Sequence, residues 1–199
     1  MQQPAKINYK VYQGATFQET YRWESQTKVY TPISQISRAA PCVITTTTAS
    51  GLPLGWRFRV VGAAGMKEIN TTNEDAYYIA TGTAGNEITL NQVNSLNYTQ
   101  YTSGGVVEYN QPVEFTGYNA RMQIRETVES STVIYEATSV AGQFTFDNTL
   151  KIITLTIPAI VTQNFSFETA VYSIELFDAQ GKVVPFLTGN LVLVKEVTR

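Results

Sequence analysis

Residues 112–126, PVEFTGYNARMQIRE, constrain the fold more than any other stretch of the chain. Val113 and Phe115 alternate on one parity, and Tyr118, Ala120, Met122 and Ile124 on the other. Gly117 sits where the parity changes. Successive strand side chains point to opposite faces, so a slip of one residue turns all of them over. The pattern predicts one long strand, faulted at Gly117 by a β-bulge or corner. Arg121 and Arg125 share its polar face.

The same two-residue period recurs on both sides. Ile7, Tyr9 and Val11 alternate in one stretch, and Phe17, Glu19, Tyr21 and Trp23 in the next, with Gln13-Gly14 as the turn between them. Residues 24–28 are polar and read as a loop, and 29–33 as a short strand cut off by Pro32. Downstream, strands are expected at 131–138, 143–147, 151–157, 169–177, 183–187 and 190–197. In these, Phe144 and Phe146 point together, as do Ile153, Leu155 and Ile157, and Tyr172, Ile174 and Leu176. Residues 158–163 suit one helical turn with Pro158 at its first position. Thr, Val, Ile, Tyr and Phe are abundant, and they suit a pleated, half-buried surface.

Between about Ala39 and Asn110 the texture changes. This block holds eight of the 13 glycines, and its strands are short, at 42–48, 56–61, 76–81, 87–90 and 106–109. Short strands with regular turn signals indicate a small barrel or sandwich. The two strands ahead of the block are marginal on their own and need those after residue 111. An insertion is tolerated where its two ends lie close together. The expected fold is therefore all-β, an Ig-like or jelly-roll-type β-sandwich split by an inserted small β-barrel. Residues 1–34 and 111–199 form the sandwich, and 35–110 the inserted barrel.

Composition narrows the function. No apolar run approaches the roughly 20 residues of a membrane span, and the first ten residues have no apolar segment of signal-peptide type. The net charge of −2 argues against the broad basic face of a nucleic-acid binder. The single cysteine, Cys42, allows no internal disulfide. Histidine is absent, which removes the commonest general base and metal ligand and every histidine-dependent triad. The expectation is a non-enzyme without cofactor or metal, acting on neither nucleic acid nor membrane. Two carboxylates alone suffice for glycoside hydrolysis, but no pair stands out.

Individual candidates have bland readings beside the chemical ones. Cys42, in Pro-Cys-Val-Ile, reads as a buried core thiol. Glu74-Asp75 could bind a metal but has no neighbouring ligands in a recognisable loop, and reads as a solvated turn. The Gly62–Gly65 and Gly82–Gly85 segments lack the following helix and lysine of a phosphate cradle, and read as turns. Arg57, Arg59, Arg121 and Arg125 interleave with aromatics, a pattern that could bind an anionic glycan or nucleic acid; they read instead as outward ion-paired arginines, with an interface role as the competing reading. The sequons at Asn70, Asn97 and Asn164 are expected by chance in an Asn/Thr-rich chain. Tyr77, Tyr78, Tyr98 and Tyr101 lie in or beside loops of the inserted block, where they either contact sugars or proteins or pack on the block's own core.

Five pieces in one order carry a resemblance. They are the turn-strand Gln13-Gly14-Ala15-Thr16-Phe17, the strand FTGYNARMQIRE at 115–126, the strand and Ala/Thr turn at 152–163, the hairpin YSIELFDAQGKV at 172–183, and the C-terminal LTGNLVLVKEVTR at 187–199. Together they resemble a family of structural proteins from the tails, baseplates and necks of tailed bacteriophages. One departure is Tyr172-Ser173-Ile174, where the family carries Tyr-Asp-Leu. The inserted block, with GLPLGW at 51–56, GMKEIN at 65–70 and YTSGGVVEY at 101–109, is similar to a second recurrent phage module. Such modules resemble a small β-barrel of ubiquitin-activating enzymes in fold only.

The resemblance implies a virion protein made in the host cytoplasm and placed in the tail or neck. It would be an adaptor, oligomeric in a symmetric assembly, joining tail, neck or fibre components. Its expected interface residues are Arg121, Arg125, Tyr98 and Tyr101, with the C-terminal strand. The alternatives are a capsid decoration protein and a glycan-binding module for host attachment.

Overall fold

A computed structural model describes residues 3–196. The structure is all-β. In chain order the strands are β1 (Ala5–Lys6), β2 (Tyr9–Tyr12), β3 (Phe17–Tyr21), β4 (Glu24–Ile36), β5 (Cys42–Thr46), β6 (Arg57–Val61), β7 (Tyr78–Ile79), β8 (Gly82–Ala84), β9 (Glu87–Leu90), β10 (Val106–Pro112), β11 (Asn119–Arg125), β12 (Tyr135–Thr138), β13 (Phe144–Asp147), β14 (Ile152–Ile157), β15 (Thr169–Phe177) and β16 (Val183–Val194). Helix among the described residues amounts to a 3-10 turn at Lys67–Ile69 and α1 (Ala159–Thr162). Pro158 caps α1 with extended backbone rather than occupying its first position. The chain divides into two compact units.

The first unit draws on the residues up to Arg22, on Glu114–Asn148, and on those from Ile152 onward. Its larger sheet runs β1-β16-β15-β11-β12, and β2 also pairs with β16. A smaller sheet runs β13-β14-β3. Alternation decides what is buried. Ala120, Met122 and Ile124 of β11 and Tyr172, Ile174 and Leu176 of β15 turn inward. So do Ile153, Leu155 and Ile157 of β14, which are fully buried and contribute on the order of 1.5–3 kcal/mol each. Aromatic rings join the sheets edge to face, Tyr9 with Phe17 at 5.4 Å and Tyr21 with Phe186 at 5.9 Å. A register shift lies between Ile174 and Glu175 of β15, opposite Leu187 and Pro185 of β16, so that proline, which has no N–H to give, sits at the irregularity.

The second unit comprises Trp23–Val113 and Thr149–Lys151. Its single sheet runs β7-β6-β10-β4-β5-β9-β8. The two edge strands, β7 and β8, come from one short stretch of chain. Between them Ala80 donates its N–H to Trp56 O at 3.0 Å, and Thr81 donates to Thr89 O at 2.9 Å. One segment thus touches both edges, and the sheet curls round a core of Trp56, Phe58, Val60, Met66, Ile69, Ile44, Ile88 and Leu90. The ends of this unit lie side by side: Pro112 pairs with Glu24, and Val113 N–H donates to Trp23 O at 3.0 Å.

Several expectations need correction. Residues 112–126 are not one faulted strand. β10 ends at Pro112, and Tyr118 N–H closes a turn onto Phe115 O at 2.9 Å, with Gly117 at φ 80°. A positive φ suits glycine at such a turn. The parity changes because the chain leaves one sheet and enters another. Residues 24–28 are strand rather than loop, and they are polar because none of them is buried in this first part of β4. The expected boundary at 34/35 falls inside β4, which pairs with β10 through its first half and β5 through its second. The expected strand at 131–138 begins only at Tyr135, and those expected at 183–187 and from 190 onward join, over the described residues, in a single β16 that ends at Val194. Val197, Thr198 and Arg199, the end of the C-terminal motif, lie outside the described residues.

Candidate protein-interaction faces

The second unit carries a charged face built by strand register. In β6, Phe58 and Val60 enter the core, so Arg57, Arg59 and Val61 face outward. In β10, Val107 and Tyr109 turn in while Glu108 and Asn110 turn out. In β4, Lys28, Tyr30 and Pro32 share the outer side. Glu108 lies opposite both Arg59 and Tyr30, and Val106 opposite both Val61 and Pro32. The face is therefore graded, apolar at one end and charged at the other.

Two ion-pair groups occupy the charged end. Arg57 donates Nε to Glu24 Oε1 at 2.6 Å and Nη2 to Glu24 Oε2 at 2.7 Å. Asn110 Nδ2 also donates to Glu24 Oε2, at 3.0 Å. The guanidinium stands 5.2 Å from the centre of the Tyr77 ring, within cation–π range. Beside it, Glu108 Oε1 lies 2.5 Å from Lys28 Nζ and 3.5 Å from Arg59 Nη1, with only 11% of its side chain exposed. Hydrogen bonds to the two carboxylates raise the pKa of Lys28 and of Arg57. With Glu74, Asp75 and Tyr77 these side chains line an open cleft of about 300 Å³.

The first unit carries a shorter version on the outer face of its larger sheet. Arg121 and Glu175 are directly paired across β11 and β15, and Arg121 Nη2 donates to Glu175 Oε2 at 2.8 Å. Gln123 Nε2 donates to Glu136 Oε2 on β12. Arg125 Nη2 donates to Gln123 Oε1 at 2.9 Å, and its other terminal nitrogen to the carbonyl of Ser130, which ties down the loop after β11.

Tyr98 and Tyr101 pack against the core of the second unit. The Tyr101 hydroxyl has Ile33 O at 3.0 Å and Gly104 O at 2.9 Å. Tyr98 sits in a loop held by Glu68, whose Oε1 accepts from Thr99 N–H and Oγ1. The Tyr98 and Tyr101 rings are half-buried, whereas Tyr30 and Tyr77 are more exposed. Cys42 is buried, and that burial pushes its thiol pKa up. Among the described residues, no group of three or more Asp, Glu or Cys could hold a metal ion. No described helix is long and apolar enough to cross a membrane.

Glu24, Lys28 and Glu108 escape sequence reasoning. Glu24 and Lys28 lie in the stretch read as loop, and Glu108 meets Lys28 across 80 positions of sequence. The outward parity of Glu108 was visible in the sequence, but not that β4 and β6 bring Lys28 and Arg59 to it. No family model matches this chain, and no curated protein matches it.

Proposed function

We propose that this chain is a non-enzymatic structural component of a tailed-phage virion. In this reading it is an adaptor in the tail, neck or baseplate, joining other components through protein–protein contacts and oligomerising in a symmetric assembly. The observation that carries the reading is the internal pairing of charge on both outer faces, Arg121 with Glu175 and Arg57 with Glu24. An arginine already paired within its own sheet loses less on being covered than an isolated one. Arginine and tyrosine are also the residues enriched at protein interfaces. The five-piece resemblance supplies the kind of assembly. The glycan-binding reading has less support, because Tyr98 and Tyr101 give part of their rings to the core.

The test is a phage from which this gene is deleted, examined by electron microscopy with and without the protein supplied from a plasmid. The expected result is DNA-filled heads with tails arrested or incomplete, restored by the plasmid. Particles indistinguishable from wild type would overturn the proposal.

A further inference from the structure

The first unit carries a small pocket of about 190 Å³ on the outer face of its larger sheet. Strand register builds it. Gln123 of β11 is paired with Ser173 of β15, and Ser173 with Thr188 of β16, so these three side chains form one row. In the adjoining row Arg125 is paired with Val171. Ser173 is shorter than Gln123 on one side and Arg125 on the diagonal, which leaves a depression in the sheet surface. Val128, from the loop after β11, adds an apolar wall beside Val171 and is 78% exposed.

The charge in this pocket is single and uncompensated. Arg125 donates to Ser130 O and to Gln123 Oε1, both neutral acceptors, and it makes no ion pair among the described residues. Arg121 on the same strand, by contrast, is neutralised by Glu175. Glu136 accepts from Gln123 Nε2, so the Gln123 amide stands between that carboxylate and Arg125. The two bonds fix the half-buried guanidinium, which carries more N–H donors than they use. Ser173 Oγ makes no hydrogen bond among the described residues, whereas Thr188 Oγ1 donates to Tyr172 O at 3.1 Å. No aspartate or glutamate lines the pocket.

We propose that this pocket receives the carboxylate of an acidic side chain of a partner protein. The Arg125 guanidinium and the Ser173 hydroxyl donate to it, and its methylene stem lies against Val128 and Val171. A carboxylate gives Arg125 the charge-assisted hydrogen bonds that its two neutral acceptors do not. Size points to a side chain, since pockets for whole small molecules start at about 300 Å³. Charge complementarity sets the sign, because a basic side chain would meet an uncompensated like charge. The inference deepens the adaptor reading and rests on it for the existence of a protein partner.

The test is an NMR titration of the intact protein with two capped tripeptides, valine–glutamate–valine and valine–glutamine–valine. The glutamate peptide is expected to shift the Arg125 Nε–H and the amides of Val128 and Ser173. It is expected to bind about three- to fivefold more tightly than the glutamine peptide, since one exposed ion pair contributes up to roughly fivefold. Ser173→Asp puts a carboxylate of the chain's own beside Arg125 and removes that preference. Thr20→Asp adds the same charge at an exposed position of β3 and leaves the preference intact. Equal binding of the two peptides, a preference that survives Ser173→Asp, its loss in both aspartate variants, or shifts scattered over the surface would overturn the proposal. Sodium propionate binding as tightly as the glutamate peptide would also overturn it, by making a free small carboxylate the occupant. A protein that is absent from virions yet prefers the glutamate peptide would refute the adaptor reading alone.

Discussion

Arg57 and Glu24 meet as a two-pronged ion pair, Nε to Oε1 at 2.6 Å and Nη2 to Oε2 at 2.7 Å, though 33 positions separate them in sequence. The fork matches a carboxylate in a way an ammonium cannot. Half of the Arg57 side chain is open to water, so screening limits its contribution. Arg57→Lys is expected to cost at most about 1 kcal/mol, measured by urea denaturation.

Glu108 ranks higher. Its carboxylate is almost covered and faces two cations, so removing its charge leaves Lys28 and Arg59 without their shared partner. Glu108→Gln is expected to cost about 1–3 kcal/mol, discounted because Lys28 remains partly solvated. A loss no greater than that of Arg57→Lys would contradict the buried-carboxylate account.

The Tyr101 hydroxyl reaches main-chain carbonyls on both sides of its loop. Tyr101→Phe keeps the ring and removes that donor, with an expected loss of about 1 kcal/mol. If the ring instead served as a free contact platform, unfolding would be unaffected.

Gly189 permits a close approach of the N-terminal segment. A Cβ there would lie 1.7 Å from the carbonyl oxygen of Ile7. Ile7 N–H donates to Thr188 O at 2.9 Å. Gly189→Ala is expected to abolish hydrogen-exchange protection of the Ile7 amide while protection in β14 persists.

Glu68 gives an acid response. Hydrogen bonds from Thr99, first its main-chain N–H, hold the carboxyl below its ordinary value of 4.5. A depressed carboxylate stabilises the folded loop fully above its unfolded pKa, and that stability is lost as pH falls through the folded value. The Thr99 amide is therefore expected to lose protection below about pH 4.5, and Glu68→Gln to remove the pH dependence.

The legible part of this molecule was its parity. Ile153, Leu155 and Ile157 alternate with threonine, and burial follows that alternation because strand geometry is local. The one-turn helix after β14 was legible through Pro158. Contacts that need register were not. Nothing near Glu108 names Lys28 or Arg59 as partners until β4, β10 and β6 are laid side by side. Gly117 misled because a bulge within a strand and a turn between sheets leave the same trace, a glycine at a change of parity. Tyr98 and Tyr101 were undecided because an amphipathic ring suits both a loop surface and the rim of a core. Arg121 and Arg125 were placed on the correct outward face, but their partners Glu175 and Gln123 again depended on register or on side-chain reach.

The central claim is the adaptor role in a virion, and the copy number per particle tests it most directly. Quantitative mass spectrometry of purified particles is expected to give a count of about six to a few dozen, fitting cyclic tail symmetry. A count in the hundreds would contradict the account in favour of capsid decoration, and absence from the particle would contradict both.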